Sequence, residues 1–187
     1  MTRYELLDGP QAAGLLDAMR DLYAEVYAEP PYCEGEEHVK RFVEHFTDEV
    51  QRPGFSFAKA TEDHTLIGAV HGWTMAPGKW FSSPTSEPPA EIRDVPKFAI
   101  MEWMVRKRHR GAGIGRSLLD LVLANRPEPF AILASNPTAP ARQIYERWGW
   151  AYCGSTESTF MPPMDILALP LRGSANDGRR GGRFPLS

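Results

Sequence analysis

The stretch Val105-Arg106-Lys107-Arg108-His109-Arg110-Gly111-Ala112-Gly113-Ile114-Gly115-Arg116-Ser117-Leu118-Leu119 decides how the chain is read. An apolar, strand-like run over residues 98–105 leads into it, and a helix-patterned run over 114–123 leads out. Gly111, Gly113 and Gly115 at alternating positions let the backbone adopt conformations closed to residues with a Cβ, and let a ligand approach the main chain. The first amides of the helix have no intrahelical partner and lie at the positive end of its dipole, so the turn is suited to a phosphate. Arg110 and Arg116 flank it and can add charge-assisted hydrogen bonds.

Two phosphate loops fail on spacing. A P-loop needs Lys before Ser or Thr, where this chain has Arg116, and a first Gly where it has Arg110. A dinucleotide fingerprint needs G-x-G-x-x-G, and here the third glycine comes one residue early.

Arg110-Gly111-Ala112-Gly113-Ile114-Gly115 resembles the acetyl-coenzyme A loop of the GCN5-related N-acetyltransferase (GNAT) superfamily, whose pattern is Arg or Gln, x, x, Gly, x, Gly or Ala. Asn136, the run Ala141-Arg142-Gln143-Ile144-Tyr145-Glu146-Arg147 and Trp148-Gly149-Trp150 resemble that family's second coenzyme segment. The resemblance covers about residues 1–170. It implies an α/β (α+β) fold: a mixed, mostly antiparallel sheet of about seven strands, splayed between the fourth and fifth and flanked by about four helices. Lys107 stands where many members have Pro, and Trp148 and Trp150 replace commoner Leu and Phe.

Outward from this stretch, periodicity and turn residues place strands at 3–7, 55–60, 65–73, 97–105, 130–134, 151–153 and 159–169. Helices are predicted over 11–28, 36–51, from 114 to a stop at 126–129, and after Thr138, which can cap the last one with Pro140 in its first turn. Residues 61–64 read as a hairpin connection. Residues 76–96, rich in Pro, Ser and Gly and holding Trp80 and Phe81, read as a flap over the substrate side. Residues 1–171 make one acetyltransferase domain in this reading. Residues 172–187, with Arg179, Arg180 and Arg183, are too polar to offset their ordering entropy and read as a disordered tail.

At 187 residues, 24% charged and with a formal charge of -3, the chain offers no whole-chain case for nucleic acid. The run from Arg106 to Arg110 is short and is read as a solvated rim attracting the coenzyme's 3′-phosphate. Cys33 and Cys153 stand alone, without metal-ligand spacing, so no disulfide framework and no metal site is expected. Neither a signal sequence nor a membrane-length apolar run is found, and a cytoplasmic protein without membrane contact is expected. The sequence admits a homodimer without requiring one.

The resemblance implies acetyl-CoA as co-substrate, with no metal. Met104, Val105 and Arg106 would run along its pantetheine arm, and residues 110–117, including Ala112 and Ser117, would hold its pyrophosphate. Asn136 would touch the arm, or serve only as a helix-entry turn residue; Arg142 lies on the next helix. Tyr145 would protonate the departing thiolate, or merely pack. If the fourth strand were regular, Glu102 would share a face with Phe98, Ile100 and Met104, where burial would raise its pKa toward the range of a base. A bulge would reverse that alternation, and a salt-bridged structural Glu102 stays open. The acceptor side would draw on Tyr27, Tyr32, Trp73, Trp80, Phe81 and Glu102, with Glu34, Glu36 and Glu37 nearby. Aromatics with carboxylates suit a small primary amine carrying positive charge. A protein lysine or N-terminus as acceptor, or a non-catalytic acyl-CoA sensor, are the alternatives.

Overall fold

The structure, a computed structural model, describes residues 1–157 and 162–171. The chain starts with β1 (Arg3–Leu7) and α1 (Gly9–Ala13). Asp8 caps α1 reciprocally: its carboxylate accepts the Gln11 amide at 3.0 Å, and the Gln11 side chain accepts the Asp8 amide at 3.1 Å. The expected helix over 11–28 is therefore two, because this cap starts α1 early and α2 (Leu16–Tyr27) begins anew after Gly14. α3 (Glu36–Glu49) turns Phe42 and Phe46 inward beside Met19, Leu22 and Tyr23 of α2.

β2 (Ser56–Glu62) and β3 (Thr65–Met75) run through the expected four-residue connection and turn on two residues, Asp63 and His64, both with positive φ. That twist matches the strands better than a wider loop. Between β3 and β4 (Lys97–Val105) lies the long loop, which contains α4 (Ala90–Arg93). Buried Lys97 ties its ends together, donating to the carbonyls of Ala76, Arg93 and Val95 at 3.2, 2.7 and 3.3 Å. β4 leads through a short 3₁₀ turn at Lys107–His109 and the glycines into α5 (Ile114–Leu123). β5 (Phe130–Ser135), α6 (Pro140–Arg147), β6 (Ala151–Thr156) and β7 (Met164–Pro170) follow. The expected cap by Thr138 is not found: Ala139 occupies the cap position, and Thr138 donates to Asn136. The first residues of the strand expected at 159–169, and the whole expected tail with Arg179, Arg180 and Arg183, lie outside the described residues.

The seven strands form one sheet in the order β1-β2-β3-β4-β5-β7-β6, antiparallel except for β4 with β5. Pairing of β4 with β5 covers Lys97–Ile100 against Phe130–Leu133 and stops there, although both strands continue. The sheet is thus splayed at the expected place. Among the described residues six α-helices, two of them short, stand where about four were expected. α2 and α3 cover one face over Phe57, Ala69 and Met104; α5 covers the other over Ala58, Val70 and Phe98, joined by Tyr145 and Trp148 of the α6 end. Each fully buried side chain such as Phe98 or Leu118 contributes about 1.5–3 kcal/mol of burial. With both faces covered, the second half of β4 stays paired to β3 but leaves its other edge open along the splay, where pairing with β5 has stopped.

Candidate active site

β4 enters the splay with a bulge. Gly72 pairs with Ile100 and His71 with Glu102, so Met101 is an extra residue on β4. The bulge reverses the alternation: Phe98 and Ile100 pack on the α5 side, whereas Met104 packs on the α2/α3 side. Glu102 therefore does not share a face with Phe98 and Ile100, as a regular strand would require. It points toward α2, where the Tyr27 hydroxyl donates to its carboxylate at 2.6 Å.

That carboxylate lines a cavity of about 580 Å³ between α2, α3, the splayed strands and α6. Tyr23 and Tyr27, four apart on α2, face it together. Tyr23 donates to Glu34 and Tyr27 to Glu102, while Tyr32 meets Tyr27 edge-on at 4.9 Å. Desolvation raises the Glu102 pKa to about 8; the Tyr27 hydrogen bond opposes this, and the nearby charges of Glu49 and Glu34 add to it. Across the cavity, Tyr145 of α6 stacks on Trp103 at 5.2 Å. Its hydroxyl makes no hydrogen bond among the described residues. Burial, then Tyr32 and Glu102, push its pKa up, so the phenol keeps its proton.

The main chain of β4 supplies the other wall. The Arg106 amide donates to Ile67 of β3 at 2.9 Å, and Met104, two residues earlier, faces β3 as well. The main-chain groups of Trp103 and Val105 consequently point into the splay. Of the three residues expected along an extended ligand, the main-chain groups of Met104 and Arg106 are turned to β3 and those of Val105 to the splay, as are those of Trp103, which the sequence reading did not name. Alternation along a bulged strand could have signalled it. The Arg106 guanidinium is taken up by the Leu66 carbonyl at 2.8 Å and by Glu25.

Beyond β4, Gly111 and Gly113 have φ of 80° and 79°, and a Cβ at either would meet nothing within 4 Å. Their conformation turns the chain sharply while leaving space above it. The amides from Gly111 to Arg116 take part in no hydrogen bond among the described residues. The Ile114 side chain is core; the Gly115 carbonyl accepts from the Trp103 indole at 3.2 Å; Ala112 and Ser117 are exposed beside it. Arg110 donates to the Val105 carbonyl at 2.9 Å and to both Glu29 oxygens at 3.3 Å. Arg116 turns along α5 to Asp120 at 2.9 Å and over Trp148. The rim from Arg106 to Arg110 is thus largely matched by acids: Glu25 of α2 for Arg106, Glu29 just past α2 for Lys107 and Arg110, and Glu62 of β2 beside His109.

Asn136 is buried on the cavity wall, its side-chain oxygen accepting from the Thr138 amide and hydroxyl at 2.9 and 2.8 Å. The expected helix-entry turn is present, and Asn136 lines the cavity. Arg142 is not among the residues that line it: it binds Asp165 at 3.2 Å and Glu146 at 2.7 Å. Of the residues expected around an acceptor, Tyr27, Tyr32, Phe81 and Glu102 line the cavity. Trp73 and Trp80 do not; Arg52 covers Trp73 at 5.2 Å, and Trp80 packs beside Lys97 and Phe81. Glu36 and Glu37 are exposed at the start of α3. His38, Arg41, His45 and Glu49 of α3, and Met164 of β7, line the cavity without having been expected there. One heptad-like stripe, 38-41-45-49, was the available signal. Among the described residues no group of His, Cys, Asp or Glu is arranged to hold a metal ion, and no helix is long and apolar enough to cross a membrane.

The sequence profile of the Acetyltransferase (GNAT) family matches residues 16–150. The chain belongs to the GNAT family. It is an acetyltransferase, and its acyl donor is acetyl-CoA. No curated protein matches the chain in sequence. Among solved structures, the PaiA N-acetyltransferase from Thermoplasma acidophilum in complex with coenzyme A superposes with a TM-score of 0.64 at 14% identity, covering 91% of this chain and 99% of that one. Aminoglycoside 6′-acetyltransferase type Ii does so with 0.63 at 14%, covering 92% and 99%. The ribosomal-protein-S18-alanine N-acetyltransferase from Escherichia coli gives 0.59 at 16%, covering 97% and 100%. At these identities the likeness is one of fold, and the second and third of these names state different acceptors, an aminoglycoside and the alanine of a ribosomal protein. The uncommitted amides after β4 and the open edge of Trp103 and Val105 suit the phosphates and the amide-bearing arm of the coenzyme.

Proposed function

We propose that this acetyltransferase moves the acetyl group directly to the primary amine of a small cationic molecule, and that residues 1–171 act as one catalytic domain. The observation carrying the reading is Glu102: a carboxylate with a pKa of about 8 at the bottom of a tyrosine- and carboxylate-lined cavity, facing Tyr145. In this reading the amides of residues 111–116 hold the pyrophosphate, and Trp103, Val105 and Asn136 line the pantetheine arm. Glu102 takes a proton from the ammonium group, and the freed amine attacks the thioester carbonyl. As the tetrahedral intermediate collapses and the carbon–sulfur bond breaks, Tyr145 gives its phenolic proton to the departing sulfur, and the proton that the nitrogen loses in becoming an amide restores the phenol. Its high pKa does not forbid this, because the same desolvation raises the proton affinity of the thiolate beside it.

Direct transfer is supported by the absence of either cysteine from the cavity lining; burial and Glu91 push the Cys153 thiol up to about 12. Two free cysteines also fit a reducing cytoplasm, where we place the protein. The acceptor class is supported by Glu34, Glu49 and Glu102 beside Tyr23, Tyr27 and Tyr32, groups that attract a cation. Release of free thiol from acetyl-CoA, measured against a panel of small amines and of peptides with free N-termini or lysines, tests the reading. Turnover with small cationic amines is expected. Turnover with peptides alone moves the acceptor to proteins, and coenzyme binding without any turnover leaves an acyl-CoA sensor.

A further inference from the structure

Behind Glu102 lies a buried acid–imidazole pair that the transfer steps do not use. His71 of β3 stands directly opposite Glu102 of β4 in the ladder, so both side chains leave the same face with Cβ atoms about 5 Å apart. His71 is fully buried; its Nε2 lies 2.8 Å from a carboxylate oxygen of Glu49 on α3, and its Nδ1 has no partner among the described residues. Phe46, Phe55 and Phe57 surround the imidazole, with ring centres at 5.0, 5.8 and 6.2 Å. A polar pair in such a box costs desolvation free energy that an apolar pair of similar volume would not. Packing alone therefore does not account for it. Glu49 is also not sealed off, for it lines the same cavity as Glu102.

We propose that Glu49, held in place by His71, is a positioning residue whose fixed charge sets the pH range over which Glu102 exchanges a proton with the acceptor amine. The proposal rests on the reading of Glu102 as the base. It stands on the ladder register, the 2.8 Å contact and the shared cavity, and Glu49 comes ahead of Glu34 among the charges that raise Glu102. The same cavity holds other titratable groups, among them Arg110 and the Glu29 carboxylate that it and Lys107 pair. From α2 come Tyr23 and Tyr27, and from the segment after it Tyr32 and Glu34. From α6 comes Tyr145, and α3 adds His38, Arg41 and His45 along the cavity. All four tyrosines are pushed up and stay neutral over the range concerned. Glu34 is already engaged by Tyr23. Of the two carboxylates that raise Glu102, Glu49 is the one held by a fully buried imidazole.

The test uses the full chain with ¹³C-labelled glutamate side chains. The Glu102 carboxyl resonance is assigned by its loss in Glu102→Gln, and its titration is followed in the unsubstituted protein and in Glu49→Gln. The midpoint should fall by about one pH unit, the size expected for removing one nearby charge. The acidic limb of kcat/KM should move with it. An unmoved midpoint, with or without a lowered Tm, overturns the proposal, as does a shifted midpoint with an unmoved limb. Should Glu49→Gln fail to fold, Glu49→Asp withdraws the charge toward His71 and should give a smaller shift in the same direction; no shift is again a refutation. Because the resonance titrates without turnover, failure of the proposed reaction and failure of this inference are separate results.

Discussion

The two walls of the splay are built from different materials. The acyl-donor wall is main chain: the outward edge of Trp103 and Val105 and six unbonded amides from Gly111 to Arg116. The acceptor wall is side chain: Glu102 and Glu34 set by tyrosines from α2, and Glu49 set by His71. In the proposed reading the main-chain groups hold the coenzyme, which needs only a short local motif, and side chains from separate elements hold the acceptor, each depending on distant packing. Substitutions on the acceptor wall should therefore change rate and pH dependence, and those on the donor wall should change coenzyme affinity.

The largest effect is expected at Glu102→Gln, roughly 10²–10³-fold in kcat near pH 8, because no base remains. In the unsubstituted enzyme kcat/KM should rise with pH around a midpoint of about 8, and the variant should lose that limb. The stability change has the opposite sense. The folded pKa of about 8 lies above the ordinary 4.5, so the folded state holds a proton that the unfolded state has lost between those values. The stabilisation from protonated Glu102 is full below pH 4.5 and is lost as pH rises toward 8. Melting curves should show Glu102→Gln gaining on the unsubstituted protein across that window; a constant gap would mean that Glu102 titrates normally.

Tyr145→Phe comes next, with a loss of ~10²-fold in kcat and an unchanged affinity for acetyl-CoA by calorimetry. An unchanged rate would leave Tyr145 as a packing partner of Trp103. On the donor wall, Gly113→Ala puts a Cβ at a φ of 79°, a cost of about 1–2 kcal/mol, and crowds the space over the amides. Affinity for the coenzyme should fall about 10-fold while kcat at saturation changes little. Arg142→Ala is the smallest: since Arg142 is bound to Asp165 and Glu146, coenzyme affinity should stay within about 2-fold. A large loss there would place Arg142 on the ligand and break the division between the walls.

Much of this was legible in the chain. β1, β4 and α5 have the bounds that periodicity predicts, and the glycine spacing located the turn between them. The α1–α2 break was missed although Asp8 and Gln11 stood at capping-box spacing. Trp73 and Trp80 were placed near the acceptor by composition, but aromatic residues in a loop carry no information on which face they will pack. Glu102 was selected correctly as a cavity residue on a mistaken face, because nothing local in 97–105 announces the extra residue at Met101. His71 carried no signal, and Glu49 only its place on the 38-41-45-49 stripe.

By itself the sequence determined the family, the acyl donor and the turn that suits its phosphates, since those depend on glycine positions and on helix-start amides within a few residues of one another. The tertiary structure alone decided which wall Glu102 joins, which carboxylates share its cavity and which arginines are already spent in ion pairs. Those outcomes turn on a single bulge and on contacts between residues tens of positions apart, and no local pattern encodes them.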